Sequence, residues 1–150
     1  MTSDSRVAES GASLHRIGQI YRTFIKQVDE PLRQVGLAVG QLPVLVTLKN
    51  AGASSQAELA RVAQVEQPSM AQLLNRMERD GLIERVPDPA DGRSRLVSLT
   101  GQATRRLPAG KAVMDSLAVK ALEGFSREER DVLQDLLSRI QANLERVSKG

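Results

Sequence analysis

The sequence predicts a mainly α fold carrying one small β-hairpin, and three observations support it. A Pro/Asp/Gly-rich turn over residues 87–92 separates Leu82-Ile83-Glu84-Arg85 from the alternating Arg95-Leu96-Val97-Ser98-Leu99-Thr100, the pattern of two strands joined by a tight connection. Two short helical patterns, each with its own start signal, precede that hairpin across residues 55–80. Apolar stripes of helical spacing occupy both ends of the chain.

Taken in order, residues 1–10 are polar and are expected to fray. Leu14, Ile17, Tyr21, Phe24, Ile25, Val28 and Leu32 then recur every three or four positions, which makes a long amphipathic helix that Pro31 should end or bend. Val44, Leu45 and Leu48 repeat the spacing in a second helix beginning near Val39 or Gly40 and stopping by Gly52. Ser55 with Glu58 three residues on is a capping box, each side chain serving an orphan backbone amide of the first turn. It starts a helix over Gln56–Ala63 that buries Leu59, Ala60 and Ala63.

After residues 64–67 the next helix opens at Pro68, whose missing amide proton costs nothing in a first turn. Met70, Leu73, Leu74 and Met77 form its buried face, and Gly81 supplies the left-handed residue that ends it. Thr100 can cap a fifth helix reaching Leu122 despite Pro108, and Ser126 with Glu129 forms a second capping box. Leu133, Leu136, Leu137, Ile140, Leu144 and Val147 follow at near-heptad spacing. The expected organisation is residues 1–33 for a first helix, 34–100 for a compact lobe, and 101–150 for further helices, and the terminal stripes need cover, which the two ends could give each other within a monomer or a second subunit could give.

Helix, turn, helix and hairpin in that order make a winged helix-turn-helix, and the hairpin is its wing. Rotating away from the Met70 face leaves Pro68, Ser69, Gln72, Asn75 and Arg76 toward solvent, where they can meet base edges. Arg85, Arg93 and Arg95 place guanidiniums on the wing, suited to phosphate or guanine. Asp91 cannot favourably face phosphate, so it should shape the turn and pair with Arg93 or Arg95.

The formal net charge of +3 permits nucleic-acid binding without demanding it, so any basic surface has to be made by position. Aromatic residues at 2% argue against stacking on splayed single-stranded bases and leave duplex binding. With no cysteine and one histidine, the chain lacks thiolate metal sites, a thiol redox sensor and the material for a catalytic constellation. No cofactor, no metal and no enzymatic activity are expected, and without a signal-like or membrane-spanning run the expected location is the cytoplasm.

Val65-Glu66-Gln67-Pro68-Ser69-Met70, Asn75-Arg76-Met77-Glu78-Arg79-Asp80-Gly81-Leu82, Asp88-Pro89-Ala90-Asp91-Gly92-Arg93 and Val97-Ser98-Leu99-Thr100 together resemble a MarR-type transcriptional regulator. The Glu-Gln-Pro-Ser opening is similar to the SlyA branch, and the pattern covers residues 14–144. The resemblance implies a bacterial homodimer on a pseudo-palindromic operator in double-stranded DNA, commonly a repressor, released by a small aromatic or anionic effector. It places the recognition helix in the major groove and Arg93 in the adjacent minor groove, with Arg76, Arg85 and Arg95 on phosphates. It also implies interleaved terminal helices joined through Leu14, Ile17, Leu133, Leu137, Ile140 and Leu144. An effector cleft between dimer helices and lobe would draw on His15, Tyr21 and Leu45.

Two positions depart from the pattern: Gly92 stands where the family often carries a second basic residue, and Gln72 where the SlyA branch has arginine. The operator sequence therefore does not carry over. The competing reading is a winged-helix protein-interaction module without DNA affinity, which acidic residues at the centre of the recognition face would signal. Glu66 and Glu78 flank that face instead.

Overall fold

A computed structural model describes residues 2–150, and the element order is α1 (Ser3–Gln34), a 3₁₀ turn (Val39–Gln41), α2 (Leu42–Ala51), α3 (Gln56–Ala63), α4 (Gln67–Arg79), β1 (Ile83–Asp88), β2 (Asp91–Leu99), α5 (Gly101–Ala121) and α6 (Arg127–Ser148). The chain divides into two compact units, residues up to 114 and residues from 115 onward.

One expectation for α1 is corrected, and of the two alternatives for Pro31, an end or a bend, the first is removed. Residues 3–10 are helical rather than frayed, because the Thr2 side chain accepts from the Ser5 amide and caps the first turn, while Met1 lies outside the described residues. Pro31 does not end α1, which runs on to Gln34. Pro31 removes one helical donor and only three helical residues follow it; Gly36 at φ +77° makes the stop, with the Leu37 amide donating back to the Leu32 carbonyl.

The core of the first unit gathers Val28 and Leu32 of α1, Val44, Leu45 and Leu48 of α2, Leu59 of α3, Met70, Leu74 and Met77 of α4, then Leu82, Ile83, Val97 and Ala103, all buried. Gly110 lets α5 approach this core, since a Cβ there would sit 2.6 Å from Leu37 Cδ1. Thr100 caps α5 as expected, accepting from the Ala103 amide while donating to the Gly81 carbonyl at 2.6 Å, so one hydroxyl joins the end of α4's turn to the start of α5.

The two predicted capping boxes differ. Ser126 and Glu129 bond reciprocally at the start of α6. At α3, Ser55 accepts from the Glu58 amide, but the Glu58 carboxylate is turned to the Arg61 guanidinium, at 2.6 Å and 3.0 Å, so only half of that box exists. In the second unit no described residue of α6 is buried, and Leu137, Leu144 and Val147 are 38%, 52% and 77% exposed. Among the described residues no helix is long and apolar enough to cross a membrane.

Candidate nucleic-acid interface

The helix α4 separates its chemistry by face. Met70, Leu74 and Met77 are each 0% exposed, which fixes the rotation of the helix and turns Pro68, Ser69, Gln72, Asn75 and Arg76 outward, away from the core. Its start is set by the turn after α3, where Gln64 takes the left-handed conformation at φ +55° and Glu66 serves as the amino-terminal boundary without a side-chain cap. Gln56 of α3 donates to Gln67 of α4 at 3.4 Å across that turn. At its far end the Leu82 amide bonds the Met77 carbonyl around Gly81 at φ +75°, which directs the chain into the wing.

The wing pairs more extensively than the sequence suggests. Strands β1 and β2 are antiparallel, with Ile83 opposite Leu99 and pairing maintained as far as Pro87 opposite Arg95, so the turn narrows to Pro89 and Ala90. The register then shifts at Pro87/Asp88, where proline has no amide to contribute to the ladder, and Asp88 pairs with Asp91. Gly92, Arg93 and Ser94 occupy that irregularity. Gly92 is not in the positive-φ region, so its expected turn role is corrected: it lies within β2.

Aspartates build the tip. Asp88 accepts from the Ala90 amide at 2.9 Å, and Asp91 accepts from the Arg93 amide at 3.0 Å and the Ser94 hydroxyl at 3.1 Å. Asp91 thus shapes the turn as expected, but through the backbone of Arg93; the expected pairing with the guanidinium of Arg93 or Arg95 is not formed among the described residues. Those two guanidiniums and that of Arg76 project from exposed residues with no ion pair among the described residues. A second attachment lies at the wing's base, where Ser54 and Val97 exchange backbone hydrogen bonds of 3.0 Å and 2.8 Å.

Arg85 differs from the other wing cations. Its side chain is only 22% exposed, donates to Glu78 at 2.9 Å and to Asn75 at 3.0 Å, and so ties β1 to the last turns of α4. The structure therefore gives its guanidinium protein partners where a phosphate was expected. Nothing periodic in the sequence couples positions 78 and 85, one at a helix end and one on a strand, so Glu78 reads there only as a flanking acidic charge. On α3, the hydrogen bond from Arg61 holds the exposed Glu58 carboxyl below its ordinary value, against a smaller opposing desolvation and with Coulombic help from the same guanidinium.

The three residues expected around an effector differ in exposure. Leu45 is fully buried in the core, whereas His15 and Tyr21 are exposed on α1, so Leu45 is corrected from a cleft-lining residue to a core residue. The stripe residues Leu14, Ile17, Leu137 and Leu144 are exposed, while Leu133 and Ile140 are half-buried. Among the described residues no group of three or more His, Asp or Glu side chains could hold a metal ion.

A sequence profile of the MarR family matches residues 35–94, which span α2 to the wing. Over 88% of this chain and 97% of its own, the crystal structure of transcriptional regulator PA3341 superposes with a TM-score of 0.76 at 30% identity. The chain belongs to the MarR family. A curated relative, the uncharacterized HTH-type transcriptional regulator YdgJ of Bacillus subtilis strain 168, is 29% identical over 112 residues, 75% of this chain and 68% of that protein. A mutant MarR from E. coli, solved in complex with operator DNA, shares the fold at a TM-score of 0.77 and 23% identity, over 93% of this chain and 99% of that one. The family consists of winged-helix transcriptional regulators, and the hairpin of β1 and β2 is the wing of that fold.

Proposed function

We propose that the chain is a homodimeric, sequence-specific repressor that binds a pseudo-palindromic operator in duplex DNA and leaves it when a small aromatic or anionic ligand binds. One observation carries the DNA half of this reading: the outward face of α4 presents Ser69, Gln72, Asn75 and Arg76 while the wing tip presents Arg93 and Arg95, polar groups displayed on a buried apolar base. In this reading Pro68, Ser69, Gln72 and Asn75 enter the major groove, Arg93 the minor groove, and Arg76 and Arg95 hold phosphates. Arg85 supports the face from behind.

Residues 34–100 would then form the DNA-reading lobe, with residues 1–33 and 101–150 supplying the dimer. Exposed Leu14, Ile17, Leu137 and Leu144 support a partner surface, and a two-fold axis would set the recognition helices about 34–36 Å apart. The Glu66-Gln67-Pro68-Ser69 opening of α4 favours the SlyA branch. Exposed His15 and Tyr21 on α1 remain the proposed effector contacts, and the protein would act in the cytoplasm beside its DNA.

A gel-shift titration on the duplex upstream of the protein's own gene, run at several salt concentrations and with a panel of aromatic acids, tests the reading. Specific retardation that weakens linearly in log salt and is relieved by one of the acids is expected. Equal retardation of all duplexes would overturn sequence specificity, no retardation would overturn DNA binding, and indifference to every acid would remove ligand release.

A further inference from the structure

Asn75 lies on the open stripe of α4 with Gln72, Arg76 and Arg79, four residues that line one shallow hollow together with Glu78. It is exposed, yet its side chain is not free to choose an orientation. Its Oδ1 accepts from Arg85 Nη2 at 3.0 Å, and Arg85 is itself anchored by Nη1 to Glu78 Oε1 at 2.9 Å. A guanidinium has donors only, so the amide atom facing it has to be the oxygen.

Resting on the DNA-reading role proposed above, we propose that Arg85 is a positioning residue that holds Asn75 as a one-way donor, so that Asn75 reads an acceptor edge, guanine or thymine, and disfavours adenine. A free asparagine amide bonds adenine by accepting from N6 and donating to N7 at once. With Oδ1 engaged by a cation, an amino group approaching the same oxygen meets the guanidinium charge. The outward-facing Nδ2 still donates. Guanine offers it O6 and N7, and thymine offers O4, all acceptors in the major groove. Glu78 completes the device by fixing the direction of Arg85, and because Glu78 and Asn75 are three residues apart on one helix, both are presented to the same strand residue.

Selection from a randomised duplex library by the full-length protein, with binding to the enriched sequences measured afterwards, tests this. Wild type should enrich guanine or thymine at one symmetric pair of operator positions, and Asn75→Ala should level that pair alone. Arg85→Met should admit adenine there, shrinking the discrimination by roughly threefold to tenfold, the worth of one hydrogen bond, while preferences at other positions persist. Glu78→Ala, which frees Arg85 to leave Asn75, should widen the same pair and keeps the test decisive if Arg85→Met fails to fold. Arg85→Met or Glu78→Ala weakening all sequences alike would show a mere brace, and Asn75→Ala weakening all alike would move the Nδ2 contact to phosphate; either overturns the proposal. Unaltered preference in Asn75→Ala overturns it while leaving the broader reading intact. A wild-type protein that enriches nothing brings down both.

Discussion

Helices α4 and α6 carry the same kind of pattern, one apolar face and one polar face, and meet different fates. The apolar face of α4 is sealed, with Met70, Leu74 and Met77 at 0% exposure, and its polar face is the one left open. The apolar face of α6 is the open one, with Leu144 52% exposed. Periodicity therefore says which side of a helix is apolar and nothing about what covers it. The two open faces suit opposite surroundings, a polar, hydrated surface for α4 and an apolar one for α6, and in the proposed reading duplex DNA would supply the first and a second copy of the chain the other.

The largest effect should come from denying α6 its partner. Replacing Leu137 and Leu144 together by Glu places charge on a surface whose burial would contribute about 1.5–3 kcal/mol per leucine, so the protein should sediment as a monomer at micromolar concentration and lose operator binding with it. An unchanged dimer would mean that this face is an ordinary solvated surface and would remove the contrast between the two helices.

Truncation at the sealed face should behave differently in kind. Leu74→Ala should cost about 2–5 kcal/mol of unfolding free energy at every protein concentration, because the cavity lies within one chain. Leu137→Ala should cost less and in a concentration-dependent way, as expected when a side chain is covered only in the assembly. Denaturant titrations at two protein concentrations separate them, and concentration independence at Leu137 would place its cover within the chain.

Most elements are legible in the sequence because their signals are local. Ser126 with Glu129, Pro68, Gly81 and Thr100 each bound a helix through backbone chemistry within a few residues. What escapes depends on choices between competing partners. Glu58 could serve the Ser55 amide or Arg61 and serves Arg61. Pro31 has the chemistry of a stop, yet the stop is Gly36. Arg85 is a free cation until the fold brings Glu78 and Asn75 to it, and Leu45 is available only until the helices around it close. The open face of α4 is readable from its spacing. Which of its side chains is already engaged is not.

The open polar surface can be probed at the wing. Arg93→Ala should weaken operator binding by about 1–3 kcal/mol and reduce the salt slope by about one ion, because this exposed guanidinium makes no ion pair among the described residues and would displace a counterion on binding. Thermal stability should hardly change, since Asp91 shapes the tip through the Arg93 backbone amide, which alanine retains. Wild-type affinity and salt slope would reduce Arg93 to a turn residue.

Arg61 provides the opposite case, a cation already engaged, and the smallest expected effect. Its guanidinium is bound to Glu58 on the exposed side of α3, so Arg61→Ala should leave operator affinity nearly unchanged where Arg93→Ala does not. The signature should appear in titration instead. Glu58 is held below its ordinary value mainly by the hydrogen bond from Arg61, so the mutant's carboxyl should titrate at higher pH, followed by the side-chain carbonyl resonance of Glu58. A depressed carboxylate adds stability above its unfolded pKa and loses it as pH falls through the folded value, so the mutant should also lose that slight acid-side dependence. If Glu58 still titrates low without Arg61, the helix amino terminus and not the arginine sets its value.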